Sequence, residues 1–187
     1  IKASNTGGSS TDDQLGRSIA LSGDTIVAGA NKEDTGDYYA SNNTGAAYVF
    51  TRSGTAWSEQ TILRASNGDT NDEFGEVVDI DGDTIVVMAP GEASNQNTKT
   101  TGTEASTDNS IARAGAVYDY TRSGSTWSQQ AYIKSSNSDA HDNFGTSMSI
   151  DGDTLVVNSP GDDSNQNTIT NGSSSSADNS MENSGAV

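Results

Sequence analysis

The sequence predicts an all-β chain of β-propeller blades, four-stranded antiparallel sheets in an incomplete set of about three repeats. Three observations predict it. First, segments recur at a fixed offset: Phe74-Gly75 returns as Phe144-Gly145, Gly82-Asp83-Thr84 as Gly152-Asp153-Thr154, and Gly115-Ala116-Val117 as Gly185-Ala186-Val187. An older copy precedes both, with Leu15-Gly16, Gly23-Asp24-Thr25 and Gly45-Ala46. Such repetition signals stacked units that cannot bury their apolar faces alone. Second, short β-branched runs alternate with tight-turn signals inside each copy. Third, no helical period of useful length occurs anywhere.

The middle copy justifies each element in turn. Phe74 to Ile80 reads as a first strand, broken near its start by Gly75. Asp81-Gly82 is a two-residue hairpin signal that calls for positive φ. Thr84-Ile85-Val86-Val87-Met88 follows, a continuous run that suits a strand covered on both faces. Pro90-Gly91 ends it, because proline cannot donate to a ladder. Residues 92–113 read as polar and featureless. A third strand spans Ala116 to Thr121, with Ala116, Tyr118 and Tyr120 on one side. Ser123-Gly124 turns the chain, and a fourth strand spans Thr126 to Lys134, with Trp127, Ala131 and Ile133 sharing a face by period two. A four-stranded sheet of this size cannot cover both of its faces, so neighbouring repeats must lean on each other. A linear stack of such sheets is the alternative architecture.

The repeats divide the chain at 1–62, 63–132 and 133–187. The insertion between the second and third strands is longer in the later copies: Gly82 to Gly115 and Gly152 to Gly185 are each 33 apart, against 22 for Gly23 to Gly45. Loops of that length are functional or mobile. The copy correspondence places Val187 inside a third strand and Ile1-Lys2-Ala3-Ser4 at the tail of a fourth. The expectation is a stretch of a longer array, or a protomer whose open blades are completed by neighbours.

Composition narrows the classes. Acidic residues outnumber basic ones 26 to 9, for a net charge of -17. That balance excludes a nucleic-acid partner, whose phosphates need Lys and Arg. The apolar fraction is 30%, below the ~45–50% common in globular chains. It is concentrated in the strand runs, with Ser, Thr, Asn, Asp and Gly between them. No Cys is present, so disulfides and thiolate metal sites are excluded. No run approaches the roughly 20 apolar residues of a helical membrane span.

Several segments together carry a family resemblance. They are Asp72-Glu73-Phe74-Gly75 with Asp142-Asn143-Phe144-Gly145, Ile80 to Val87 with Ile150 to Val157, Pro90-Gly91 with Pro160-Gly161, and Gly115-Ala116-Val117-Tyr118 with Thr121 to Ser128. The chain resembles FG-GAP repeat proteins, the blade unit of integrin α-subunit propellers, and is most similar to their bacterial surface and secreted relatives. It departs from the family's Gly-Ala-Pro at Gly29-Ala30-Asn31, Met88-Ala89-Pro90 and Asn158-Ser159-Pro160, and has Leu15 for the Phe. The resemblance implies propeller blades, about seven to a closed ring, and an extracellular or cell-surface role in adhesion.

Candidate sites follow. The integrin calcium loop between the first two strands has no counterpart, since Asp81-Gly82 and Asp151-Gly152 are too short to wrap a cation; Asp24, Asp83 and Asp153 read as turn residues. The loop before each Phe-Gly is the better calcium candidate. Asn67, Asp69, Asn71 and Asp72, and again Asn137, Asp139 and Asp142, alternate oxygen-bearing side chains that can converge on one hard cation. Glu92, Asp162 and Asp163 could join them, and Asp13 keeps the last position in the first copy. The same pattern also fits a solvated Asp/Asn turn. The single histidine, His141, reads as a loop residue beside acids. Tyr118, Tyr120 and Trp127 fit either blade packing or a sugar-stacking surface. Asn42-Asn43-Thr44 and Asn171-Gly172-Ser173 match the N-glycosylation triplet.

No nucleophile–base set can be assembled around one histidine, so the expected function is noncatalytic. The leading expectation is an adhesion or protein-assembly segment, its partner a protein or glycan on a cell surface or matrix, or copies of itself. Two alternatives stand: a structural protomer of a filament or surface layer joined head to tail, and an accessory domain of a larger secreted enzyme.

Overall fold

The computed structural model describes residues 1–4, 12–34, 42–166, 168, 176 and 178–187. Every regular element among them is a strand. The first sheet holds β1 (Ile19–Ser22), β2 (Thr25–Ala30), β3 (Ala46–Ser53) and β4 (Ala56–Leu63) in the order β1-β2-β3-β4, all antiparallel. The second holds β5 (Val78–Asp81), β6 (Thr84–Ala89), β7 (Thr100–Thr101), β8 (Ala116–Ser123) and β9 (Thr126–Ile133), in the order β5-β6-β8-β9-β7. The third pairs β10 (Met148–Asp151) with β11 (Thr154–Val157), and Ser159 bridges Ala186 where the next strand would begin.

The hairpins fall where the sequence places them. Gly23, Gly82 and Gly152 turn β1-β2, β5-β6 and β10-β11 with φ of 54–56°. The β-branched run of β6 is covered on both faces: Ile85, Val86, Val87 and Met88 are all buried. Blades stack through their innermost strands. The Val78 amide donates to Ser18 Oγ (3.1 Å) and the Gly82 amide to Ser22 Oγ (3.0 Å). One blade on, the Ile150 amide donates to Asp79 Oδ2 (2.9 Å) and the Gly152 amide to Asp81 Oδ2 (2.7 Å). The main apolar cluster lies between the first two sheets and joins Val27, Val49 and Leu63 to Phe74, Val78, Ile80, Ile85, Val87, Tyr118 and Tyr132.

Five expectations are corrected. The first strand of the middle repeat begins at Val78, not at Phe74. Glu73 and Gly75 have φ of 58° and 96°, which breaks the extended chain, and the Phe-Gly segment instead crosses to the preceding blade. There Asn71, Glu73 and Phe74 donate to the carbonyls of Asn42, Asn43 and Thr44 at 2.7–3.0 Å. His141, Asn143 and Phe144 do the same to Ala112, Arg113 and Ala114 at 2.9–3.1 Å. Residues 92–113 are not featureless, because β7 adds to the outer edge of β9. The third strand runs on to Ser123, and the fourth stops at Ile133. A bulge also breaks the expected face of β9. Tyr120 pairs Gln129 while Asp119 pairs Ala131, so Gln130 is extra and Tyr132, rather than Ile133, is fully buried. The first blade carries the same bulge between Val49 and Phe50.

Phe74 fills the gap between sheets, edge-on to Tyr118 at 5.3 Å and Tyr120 at 6.2 Å between ring centroids. Close backbone approach makes this docking possible. A Cβ on Gly29 would lie 1.9 Å from the Gly75 carbonyl oxygen, and one on Gly91 would lie 1.8 Å from that of Asn71. A side chain at Gly29 would push the Phe-Gly segment off the preceding blade, and one at Gly91 would displace the loop that leads into it.

Candidate functional site

The loop ahead of Phe74 and the turn after β6 meet at one end of the blade and enclose a buried polar cluster. Glu92 and Lys134 are its centre, with side chains 1% and 0% exposed. Glu92 sits just past the β6 turn and Lys134 just past the end of β9, so two strands separated by β8 supply the two charges. Lys134 Nζ donates to Glu92 Oε2 at 2.6 Å. The other oxygen, Oε1, accepts from the Tyr132 hydroxyl (2.7 Å), the Ser94 amide (3.2 Å) and Asn67 Nδ2 (3.3 Å). The Tyr118 hydroxyl donates to Asn67 Oδ1 at 2.7 Å. Asp72 is 3% exposed. Burial pushes its carboxyl up to about 7, with Glu92 and Asp69 adding to the rise, while the Asp69 amide and Lys134 oppose it. Burial lowers Lys134 below the ordinary lysine value, against the pull of Glu92.

The same plan recurs in each blade with other residues. In the first, Arg64 forms a two-pronged ion pair with the buried Glu33. In the third, Asn137 Nδ2 donates to Asp162 Oδ2 at 2.5 Å, and Asp142 is 2% exposed. Burial, together with the charges of Asp162, Asp139 and Asp163, pushes Asp142 up to about 6. Hydrogen bonds from Ser164 and Asn137 outweigh burial at Asp162 and hold it below its usual value.

The expected calcium ligands are therefore close together but do not face one point. Asp69 Oδ2 takes Asn109 Nδ2 (2.6 Å), its Oδ1 takes the Thr70 amide (2.7 Å), Asn71 Oδ1 takes Asn43 Nδ2 (3.0 Å), and Asp72 Oδ2 takes the Asp69 amide (2.8 Å). In the next blade Asn137 Oδ1 takes Ser135 Oγ, Asp139 Oδ2 takes Asn179 Nδ2, Asp142 Oδ2 takes the Asp139 amide and Asp163 Oδ1 takes the Asn183 amide. Among the described residues no group of three or more His, Cys, Asp or Glu side chains is placed to hold a metal ion. Each of these oxygens receives a protein donor.

The other candidates divide similarly. Asp24 and Asp83 do more than shape turns. They pair with Arg52 and Arg122, whose guanidinium carbons stand 5.6 Å and 5.1 Å from the ring centroids of Trp57 and Trp127. Tyr118, Tyr120 and Trp127 lie in the core at 0, 4 and 9% exposure, which withdraws them from a sugar-binding surface. His141 is exposed, with φ of 70°, and its amide serves the inter-blade ladder. Asn42 belongs to that ladder too, and Thr44 of its triplet is buried. Asn171 lies outside the described residues.

The outer insertions are built to a common pattern. Asp108 Oδ1 accepts from the Asn95 amide and from the amide and hydroxyl of Ser110 at 2.6–3.1 Å. Asn109 then clasps the inter-blade loop through Asp69. In the next blade Asp178 accepts from the Ser180 amide (3.0 Å), and Asn179 clasps Asp139 at 3.0 Å. Sequence reasoning missed Lys134, Arg64 and Glu33. The signal was present in the copies themselves, which place a base at 64 and 134 and an acid at 33, 92 and 162.

These sheets, joined through their inner strands and through Phe-Gly crossovers, define a β-propeller-type repeat protein. The profile of the FG-GAP repeat family matches residues 6–50, 57–121 and 127–187, and the chain belongs to that family. No curated protein matches it significantly. Among the described residues no helix is long and apolar enough to cross a membrane.

Proposed function

We propose that the chain is a noncatalytic binding segment that acts in adhesion or protein assembly outside the cell or on its surface. The observation that carries this reading is the repeated clasp. Asn109 to Asp69 and Asn179 to Asp139 hold the long insertions of two consecutive blades in the same relation to the inter-blade loops. Two matched loops on adjacent blades make a regular polar display, suited to a protein or glycan partner. Buried titratable groups serve the opposite purpose: Glu33, Glu92 and Lys134 are spent on ion pairs that hold segments together. The surface placement comes from the family resemblance.

The test replaces residues 95–110 by the shorter connection of the first blade. The expected result is an unchanged β-sheet circular dichroism spectrum with binding to cell-surface or matrix extracts lost. Unchanged binding would place the partner elsewhere and overturn the reading.

A head-to-tail protomer is the second reading, favoured by one observation. Asn183, with φ of 52°, repeats the geometry of Arg113 (55°) and Asn43 (45°), whose carbonyls receive the next blade's Phe-Gly segment. Concentration-dependent rods in electron micrographs would support it, and discrete particles at all concentrations would remove it.

A further inference from the structure

We propose that Lys134 and Glu92 are joined by an amide bond formed autocatalytically inside the folded blade, a covalent staple between the insertion and the outer strand. The two residues are 42 positions apart and meet at 2.6 Å with their side chains out of water.

The surroundings of Glu92 are unequal in a way that suits acyl transfer. Three protein donors, Tyr132, Ser94 and Asn67, converge on Oε1. They would stabilise negative charge developing on that oxygen as the carbonyl carbon becomes tetrahedral. Oε2 faces the lysine and takes the part of the leaving oxygen. A second buried carboxyl, that of Asp72, belongs to the same polar cluster. Asp72 accepts the Gly91 amide on its main-chain carbonyl at 3.0 Å, one residue before Glu92, and its side chain feels the charges of both Glu92 and Lys134. With its carboxyl pushed up to about 7, it can hold or release a proton near neutrality.

The step balances without any co-reactant. A proton passes from Lys134 Nζ to Glu92 Oε2, which converts the ion pair to a free amine and a carboxylic acid. Nζ attacks Cδ and the N–C bond forms. The amine's next proton travels by way of the Asp72 carboxyl to Oε2, the Cδ–Oε2 bond breaks, and one water leaves. The amide oxygen is Oε1, which keeps its three donors. Burial favours the product. Two desolvated charges are expensive to hold in a protein interior, and condensation removes both. The lowered pKa of Lys134 acts in the same direction by favouring the free amine.

The first blade supplies an internal reference. Its buried acid, Glu33, is met at the same place by Arg64, whose guanidinium forms the ion pair but is a poor nucleophile. Lys134→Arg therefore copies a pairing this fold already accepts.

Intact mass measured on the purified, denatured chain tests the proposal. The wild type is expected one water lighter than its sequence mass, with a proteolytic fragment that contains residues 92 and 134 on two joined peptides. Lys134→Arg is expected at its full sequence mass with an unchanged circular dichroism spectrum. Asp72→Asn is expected to remain at full mass in the freshly folded protein. A wild type at full sequence mass means an ion pair only and overturns the proposal. A water loss that persists in Lys134→Arg also overturns it, because the water must then come from another pair of groups. A joined peptide in Asp72→Asn at the wild-type rate overturns the proton relay.

Discussion

At Asp72 burial wins over hydrogen bonding. The Asp69 amide bonded to Oδ2 favours the carboxylate, yet the loss of solvent around the group outweighs it, and the carboxyl rises to about 7. Asp142 follows in the next blade, to about 6. Both groups bind protons more tightly in the folded chain than in the unfolded one. The stability they confer is present at low pH and is lost as pH rises from the ordinary aspartate value through the folded values. Unfolding in urea should show the chain more stable at pH 5 than at pH 7.5, by on the order of 1–3 kcal/mol. Asp72→Asn should flatten most of that slope. Asp162, held low, acts with the opposite sign only below its ordinary value and leaves this window untouched. A slope that rises with pH between 5 and 7.5 would contradict the assignment. Asp119 gives a second test at this scale. Among the described residues its Oδ1 is buried with no hydrogen-bond partner, and burial raises its pKa. The first blade has the fully buried Val49 at the same bulge. Asp119→Val should stabilise the chain by about 1 kcal/mol in thermal or urea unfolding, because it removes a desolvated polar atom from an apolar setting.

Among the elements, the Phe-Gly crossover matters more than any single strand. Each crossover leaves its own sheet and donates its amides to the blade before it, and Phe74 drops an aromatic ring between the two. Phe74→Ala should cost about 3–5 kcal/mol in urea unfolding, as expected for an emptied aromatic site. Gly29→Ala should destabilise by a comparable amount without removing any apolar contact, because its Cβ meets the Gly75 carbonyl at 1.9 Å. A neutral Gly29→Ala would show that the blades are not held this closely. Much of this level was legible in the sequence. The Asp-Gly and Ser-Gly turns, the continuous run of β6 and the paired hairpins all follow from local preference, which needs only a few neighbouring residues. The crossover was not legible, because Phe74 followed by alternating residues reads as a strand, and only contact with another blade tells the chain to bend there. The bulge at Gln130 was hidden for the same reason: its cause lies in the partner strand. At the candidate site the sequence groups the loop residues Asn67, Asp69, Asn71 and Asp72 by type, and in the fold their oxygens receive Tyr118, Asn109, Asn43 and backbone amides. Residue type shows that oxygens are present, whereas the direction in which they point depends on donors far away in the chain.

Across the whole molecule, apolar faces too small to sustain separate sheets are covered by the next sheet along. The low apolar fraction is enough because it is placed where blades meet: Val27, Phe74, Val87 and Tyr118 all belong to one cluster shared by two sheets. Among the described residues, five acidic side chains, Glu33, Asp72, Glu92, Asp142 and Asp162, are buried beside the blade junctions. The insertion of residues 92–113 reaches that shared core through Ala105 and through the bonds of Glu92 and Ser94 to Tyr132. Native-state hydrogen exchange on the Phe74 and Phe144 amides tests the stacking most directly. Both amides lie outside the named strands and bond only across the blade boundary, to Thr44 and Ala114. Protection equal to that of the β6 amides, lost at both ends of the crossover when Phe74 is replaced by alanine, is the expected result. Exchange of Phe74 and Phe144 at loop rates while the β6 amides stay protected would mean that the blades fold singly, and would contradict the account.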